Sequence, residues 1–481
     1  MSDLEHERLV VVHGHLYQPP REDPWTGRVP VEPSAAPFHD WNERITAECY
    51  APNTIAEVLD EHGTVVGSRN NYEHASFDVG PTLALWLERN APAVHGAIVA
   101  ADRAGHARHG YGPALAHPWV HAILPLATPG DRTTLVRWGV ADFRARFGRE
   151  PQGMWLPETA VDRPTLRALV AAGVQFTVLA PRQLSIVRDA EGIWSDVIEP
   201  GVPYRIALGS GTAIVALTYD GTLSSDVAFA GLLHDGTQFA QRLIEAAERS
   251  PAVVAAVTDF ESYGHHHRFG EMSLAVALDR VANAPGMRLA TAAEAALTIP
   301  PREAILAENT AWSCAHGIER WRSDCGCRVG DHGDQRWRTP LRQALDWLRD
   351  TVEQLPQLAD SLADMAAARD DWVDVLIDVT AQPSFERTHV HGDAERAHRW
   401  LDLQTHLLMM YSSCAWFFDD AAGHETAIVL RHAARAIELV AALDGPDLEP
   451  GVVERLRPMR SNERPELVDG EAIWHALRIP A

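Results

Sequence analysis

The sequence predicts an α/β protein, a parallel β/α barrel over its first 300 residues followed by an α-helical domain. Short apolar runs of strand length alternate with segments of helical periodicity from Leu9 to about Leu297. Beyond Pro300 the strand signals stop and long helical patterns take over, as in Leu341, Leu345, Leu348, Val352 and again Leu403, Leu407, Met410, Cys414. The informative polar residues of the first part fall at strand ends, where the loops of such a barrel converge on one mouth.

Leu9 to Val12 is a β-branched run suited to an interior parallel strand, and His13, His15 and Gln18 crowd its exit. Arg21 to Pro37 reads as loop, Ala51 to Glu61 as a helix with Asn53 as cap, and Tyr72 to Asp78 as the next strand. Gly80-Pro81-Thr82 opens a helix, a second is expected over Val94 to Arg103, and Asp131 to Phe147 forms another. Gly153 to Leu156 reads as a buried strand that turns at Pro157 and presents Glu158. A helix at Pro164 to Ala172 and strands at Phe176 to Leu179, Tyr204 to Leu208 and Ala213 to Tyr219 follow, the last ending in Tyr219 and Asp220. Two helices lead to the strand Val253 to Thr258, which ends in Asp259, Phe260 and Glu261, and about seven or eight units result. The expected division is 1–300 barrel, 301–338 a Trp/Cys-rich connecting segment contributing to the cleft, and 339–481 helical domain.

Composition bounds the function. With 481 residues and 46% apolar content the chain can bury a large core. Its 42 basic and 66 acidic residues leave a formal charge of −24, which argues against nucleic acid or an anionic membrane as partner. Every basic residue is arginine, so Schiff-base lysines, pyridoxal-phosphate anchors and Walker-type phosphate loops are excluded. A charged N-terminus without a signal peptide, no run of eighteen apolar residues, and five cysteines point to a reducing, cytoplasmic compartment.

Two carboxylates at two strand ends suggest acetal cleavage, in which one acid protonates the leaving oxygen and the other traps the oxocarbenium-like centre. In the retaining version they sit about 5 to 5.5 Å apart. Glu158 is assigned as nucleophile and Asp259 as acid/base, with Glu261 a competitor because in an extended strand it faces the same way as Asp259. Either acid alone could merely cap a helix, and it is the pair that favours chemistry. His13 and His15 could be core histidines or metal ligands, and His265-His266-His267 most simply reads as a solvated loop. Cys314, Cys325 and Cys327 with His316 could bind zinc, yet the spacing lacks Cys-x-x-Cys knuckles, so free thiols or a packed loop are favoured and no metal or cofactor is expected. Trp155, Trp312 and Trp321 are candidate platforms for a sugar face.

His13-x-His15-x-x-Gln18-Pro19, Trp155-Leu156-Pro157-Glu158 and Asp259-Phe260-Glu261-Ser262-Tyr263-Gly264-His265 resemble three motifs of glycoside hydrolase family 57. His117 and His121 to Leu126 match a further motif loosely, and Trp312 to Trp321 another. The resemblance implies a (β/α)7 barrel, retention on α-glucans or oligosaccharides, and the roles given above for Glu158 and Asp259. It also implies substrate contacts from His13, His15, Gln18, His121, Trp155, Tyr219, Asp220, Glu261, His265, Trp312 and Trp321. The segments Trp312 to Gly317, Asp324 to Cys327 and Ser413 to Asp419 resemble a little-characterised subgroup with a helical C-terminal region of unknown function. Two other readings stay open: metal-assisted hydrolysis such as carbohydrate deacetylation using His13, His15 and Asp259, and a non-catalytic glycan-binding protein.

Overall fold

A computed structural model describes residues 7–60, 62–331 and 333–478. The chain forms two compact units, each discontinuous in sequence. The first comprises residues 1–18, 31–117 and 143–308, and the second residues 19–30, 118–142 and 309–481. No helix among the described residues is long and apolar enough to cross a membrane.

The first unit is mixed α/β and grows around the strand Arg8–Leu16, whose residues from Leu9 onward are all buried. Val10, Val11 and Val12 point to both faces and meet packed neighbours on each, which is why the run is continuous rather than alternating. This strand pairs in parallel with Val253–Asp259 on one side and with Ser76–Val79 on the other, while its first residues pair with Met287–Leu289. Ser76–Val79 continues in parallel to Ala114–Leu115, and single parallel bridges run from Ala116 to Met154 and from Gly153 to Phe176. Phe176–Leu179 then pairs in parallel with Thr212–Thr218. Beyond it Pro203–Gly209 pairs antiparallel with Thr212–Thr218, Arg302–Leu306 pairs in parallel with Pro203–Gly209, and Leu184–Arg188 pairs antiparallel with Arg302–Leu306.

The helices between these strands start where polar side chains replace missing backbone partners. Asp162 accepts from Thr165 N–H ahead of Arg163–Ala171, Asp235 from Thr237 and Gln238 ahead of Gly236–Arg249, and Thr291 from Glu294 ahead of Ala292–Thr298. Gly236–Arg249 buries Phe239, Ala240, Leu243, Ala246 and Ala247, a single stripe that fixes which face meets the sheet. Gly14 is required by close packing, because a Cβ there would lie 2.2 Å from the Phe260 ring.

Several expectations are corrected. The segment expected as a helix over Ala51 to Glu61 is a short 3-10 turn at Pro52–Thr54 and a hairpin, Ala56–Leu59 with Val65–Arg69. Pro52 stops helix propagation from Trp41–Tyr50, and Gly63 supplies the positive φ of the hairpin turn. The Trp155 segment contributes two bridge residues rather than a full strand. Arg302–Leu306 is a strand in the region expected to hold none.

The second unit is built from helices, among them Arg338–Glu353, Met365–Ile377, Ala394–Met409 and His424–Ala442. It also includes residues 118–142, which the linear division assigned to the barrel. They are held there by Trp138 Nε1 donating to Arg369 O at 3.0 Å, Thr134 Oγ1 to Asp370 at 2.9 Å, Ser413 N–H to His121 O at 2.7 Å, and an Arg369–Asp131 ion pair.

Candidate active site

The register of three adjacent parallel strands sets the site. His15 lies opposite Asp259 on one neighbouring strand and opposite Asp78 on the other, so all three reach the same level of the sheet. His13 and His15 lie inside the strand, which runs on to Leu16, two residues apart and therefore on one face.

Asp78 was not singled out from sequence, yet it organises the histidines. It is fully buried, with one carboxylate oxygen 3.3 Å from His13 Nε2 and the other 2.8 Å from His15 Nδ1. Each histidine therefore donates from that nitrogen and keeps the other ring nitrogen free of a proton. Burial lowers the His13 pKa and lowers that of His15 to about 3, so neither ring is charged near neutral pH. The rings stack on Trp155 at 5.1 Å, and His15 also stacks on Tyr17 at 6.0 Å and His117 at 5.6 Å. Trp155 is wholly buried, so it backs the histidines and offers no open face as a sugar platform.

Asp259 ends its strand, and its pKa is raised well above the usual carboxylate range by desolvation and then by the charges of Glu261, Glu158 and Asp78. The residue is nonetheless open to solvent, so water tempers the desolvation part and the three like charges are the sounder cause. A carboxyl that stays protonated and accessible has what a general acid needs.

Glu261 plays a different part from Asp259. The strand ends at Asp259 and Phe260–Ser262 is a 3-10 turn, so the two acids do not share the extended face expected of them. Glu261 is buried, accepts from Tyr50 Oη, and is further held by the Tyr17 backbone amide and the Gln18 side chain. Burial pushes its pKa up to about 7 against these donors. Gln18 in turn donates to Tyr50 Oη at 3.4 Å.

Glu158 sits in a 3-10 turn, Pro157–Thr159, with φ at 56°, and Thr159 follows at φ 49°. Two consecutive non-glycine residues in the left-handed region are strained and need fixing from outside. Gln183 does this. Its side chain accepts from Thr159 Oγ1 at 2.8 Å and from Ala180 N–H at 2.8 Å, and donates to Thr159 O at 2.7 Å. Nothing in the sequence around Gln183 signals that task.

The remaining expected residues do different work. Tyr219 is buried, its phenol pushed up to about 12 by desolvation, with Arg182 and Asp259 both within electrostatic reach. Asp220 caps the helix Gly221–Phe229 by accepting from Leu223 N–H at 2.9 Å, a structural task. His265 pairs with Glu48 and meets Trp41 edge-on at 5.9 Å. His121, Trp312 and Trp321 belong to the second unit. There Trp321 is fully buried, which removes it as a platform, and His121 Nδ1 lies 2.6 Å from Ser413 Oγ.

Acids and neutral histidines gather at the ends of parallel strands in a mixed α/β unit. Residues 104–308 match glycosyl hydrolase family 57, and residues 334–481 match a domain of unknown function, DUF3536. The family 57 match includes both Glu158 and Asp259 and supports an enzyme of the glycoside hydrolase or transglycosylase type. No curated protein sequence matches it. Among solved structures it is similar to an exo-type maltose-forming amylase from Pyrococcus sp. ST04, at 14% identity and a TM-score of 0.73, covering 93% of this chain and 82% of that one. It is also similar to a family 57 branching enzyme from Thermococcus kodakaraensis, at 15% identity and 0.55, covering 93% and 94%. An α-amylase from Thermotoga maritima matches at 13% identity and 0.55, covering 99% and 100%. At these identities the likeness is one of fold.

Proposed function

We propose that the protein is a retaining α-glycoside hydrolase or transglycosylase acting on α-1,4-linked glucans or oligosaccharides. Glu158 attacks the anomeric carbon while Asp259 protonates the departing oxygen, giving a covalent glycosyl-enzyme. Asp259 then takes a proton from water or a sugar hydroxyl, which releases the glycosyl group onto that acceptor. The observation supporting this reading is the environment of Asp259, an accessible acid held protonated by three carboxylates, one of them Glu158. The substrate class is taken from the family 57 amylase and branching enzymes that share the fold.

The same reading takes the parallel succession as a closed seven-membered barrel. Its support is the hydrogen bond from Asp220 N–H to Ala255 O at 2.9 Å, which ties the exit of Thr212–Thr218 to Val253–Asp259. A cytoplasmic location is part of the proposal and rests on five cysteines, none of them in a disulfide among the described residues.

The test is a product assay on maltooligosaccharides and amylose with wild type, Glu158→Gln and Asp259→Asn side by side, reading the anomer of early products by NMR. We expect α-anomeric products from wild type and a loss of at least about a thousandfold in both folded variants. Longer or branched products would assign transfer over hydrolysis. β-Anomeric products, or activity persisting in Glu158→Gln, would overturn the mechanism.

A further inference from the structure

Between the two family matches, in residues that neither covers, the second unit draws four donor atoms to one point. Cys314 Sγ lies 3.9 Å from Cys325 Sγ and 3.8 Å from Cys327 Sγ, and Cys327 Sγ lies 3.5 Å from His316 Nδ1. All four donors fall within 4.8 Å of one another. A tetrahedral zinc ion with Zn–S near 2.3 Å and Zn–N near 2.05 Å has S···S edges of about 3.8 Å and S···N edges of about 3.6 Å. The observed separations match those edges and are far longer than a disulfide, about 2.05 Å.

The local backbone is shaped for this convergence. Gly326, between two of the cysteines, has φ of 81°, a conformation that lets neighbours two residues apart turn their side chains to one side. Gly317, at φ 83°, closes the other limb so tightly that a Cβ would lie 2.3 Å from Asn309 O. The two limbs are tied from behind by arginines. Arg320 donates to Ser313 O at 3.2 Å and to Phe417 O, and Arg338 Nη1 donates to Cys327 O at 2.8 Å.

A second observation concerns charge. The Arg338 side chain is fully buried, and its Nε and Nη2 have no hydrogen-bond partner among the described residues. The Asp419 carboxylate stands 3.9 Å away, beyond hydrogen-bonding distance. At that distance the carboxylate offsets the buried guanidinium only in part. With zinc bound, the three thiols lose their protons to solvent and the histidine stays neutral. The cage then carries one net negative charge beside that cation.

We propose that Cys314, His316, Cys325 and Cys327 hold a structural zinc ion that locks this connecting segment onto the helical unit. Four protein ligands leave no open position, so the site serves folding rather than catalysis. The pattern Cys-x-His followed by Cys-x-Cys lacks the knuckles used to recognise such sites, which is why spacing alone favoured free thiols.

The test uses the full chain purified under reducing conditions without chelator, with metal counted by mass spectrometry. We expect close to one zinc per chain in wild type and less than a tenth in the double variant Cys314→Ser/Cys327→Ser. Because that variant could lose its fold, stripped wild type is also titrated with cobalt(II), and intense tetrahedral d–d bands with thiolate charge-transfer absorption are expected. Wild type that retains less than a tenth of an equivalent after zinc addition and dialysis would overturn the site. So would a double variant that holds zinc undiminished, or weak octahedral cobalt spectra.

Discussion

Asp259 and Glu261 stand two residues apart and differ in role because one is open to water and the other is buried under three donors. The buried acid has a pKa of about 7 against an ordinary 4.5, so folding favours its protonated form. The stability it contributes is full below about pH 4.5 and is lost as pH rises through 7, of order 3 kcal/mol in all. Glu261→Gln removes that dependence, and unfolding curves at pH 5 and 8 should converge relative to wild type. The same substitution removes a like charge from Asp259, so the pKa of the proposed general acid falls. The alkaline limb of the kcat/KM profile is then expected to move to lower pH by roughly a unit. An unmoved limb would mean that Asp259 and Glu261 do not sense each other. His15, neutral down to about pH 3, contributes no limb in the working range.

Among the elements, the turn Pro157–Thr159 depends on a side chain from elsewhere. Gln183→Met keeps the volume and removes all three hydrogen bonds to Thr159 and Ala180. We expect kcat to fall by roughly ten- to a hundredfold with KM little changed and the far-ultraviolet spectrum intact, since a nucleophile misplaced by an ångström reacts poorly. An unchanged kcat would show that the strained turn holds itself. This turn also marks what sequence can tell. Glu158 and Asp259 stand out in the sequence as candidates because apolar runs ending in acids are local signals, and the strand Arg8–Leu16 is legible because its apolar residues are contiguous. Asp78 and Gln183 are not, since their importance lies in partners 63 or 24 residues away. The hairpin at Ala56–Leu59 is not legible, because Val58 and Leu59 fit a helical stripe as well as a strand, and only pairing with Val65–Arg69 decides between them.

At the scale of the whole molecule the two units are interleaved along the chain, so a cut at the end of the family 57 match does not separate them cleanly. A chain ending at residue 308 would keep residues 118–142 but lack Arg369, Asp370 and Ser413, which hold them. Trp138, wholly buried in the full chain, would lose its acceptors. We expect this fragment to aggregate and bind a hydrophobic dye, read by size exclusion and fluorescence. A monodisperse fragment that unfolds cooperatively would instead vindicate a self-sufficient barrel. Interleaving has a temporal side as well. Asp131 and its partner Arg369 are 238 residues apart, and a ribosome adding ~5–20 residues per second takes roughly ten to fifty seconds to cover that interval. For that time Asp131, Thr134 and Trp138 lack Arg369 and Asp370, and the nascent protein is open to chaperone capture at one foreseeable stretch, residues 129–142.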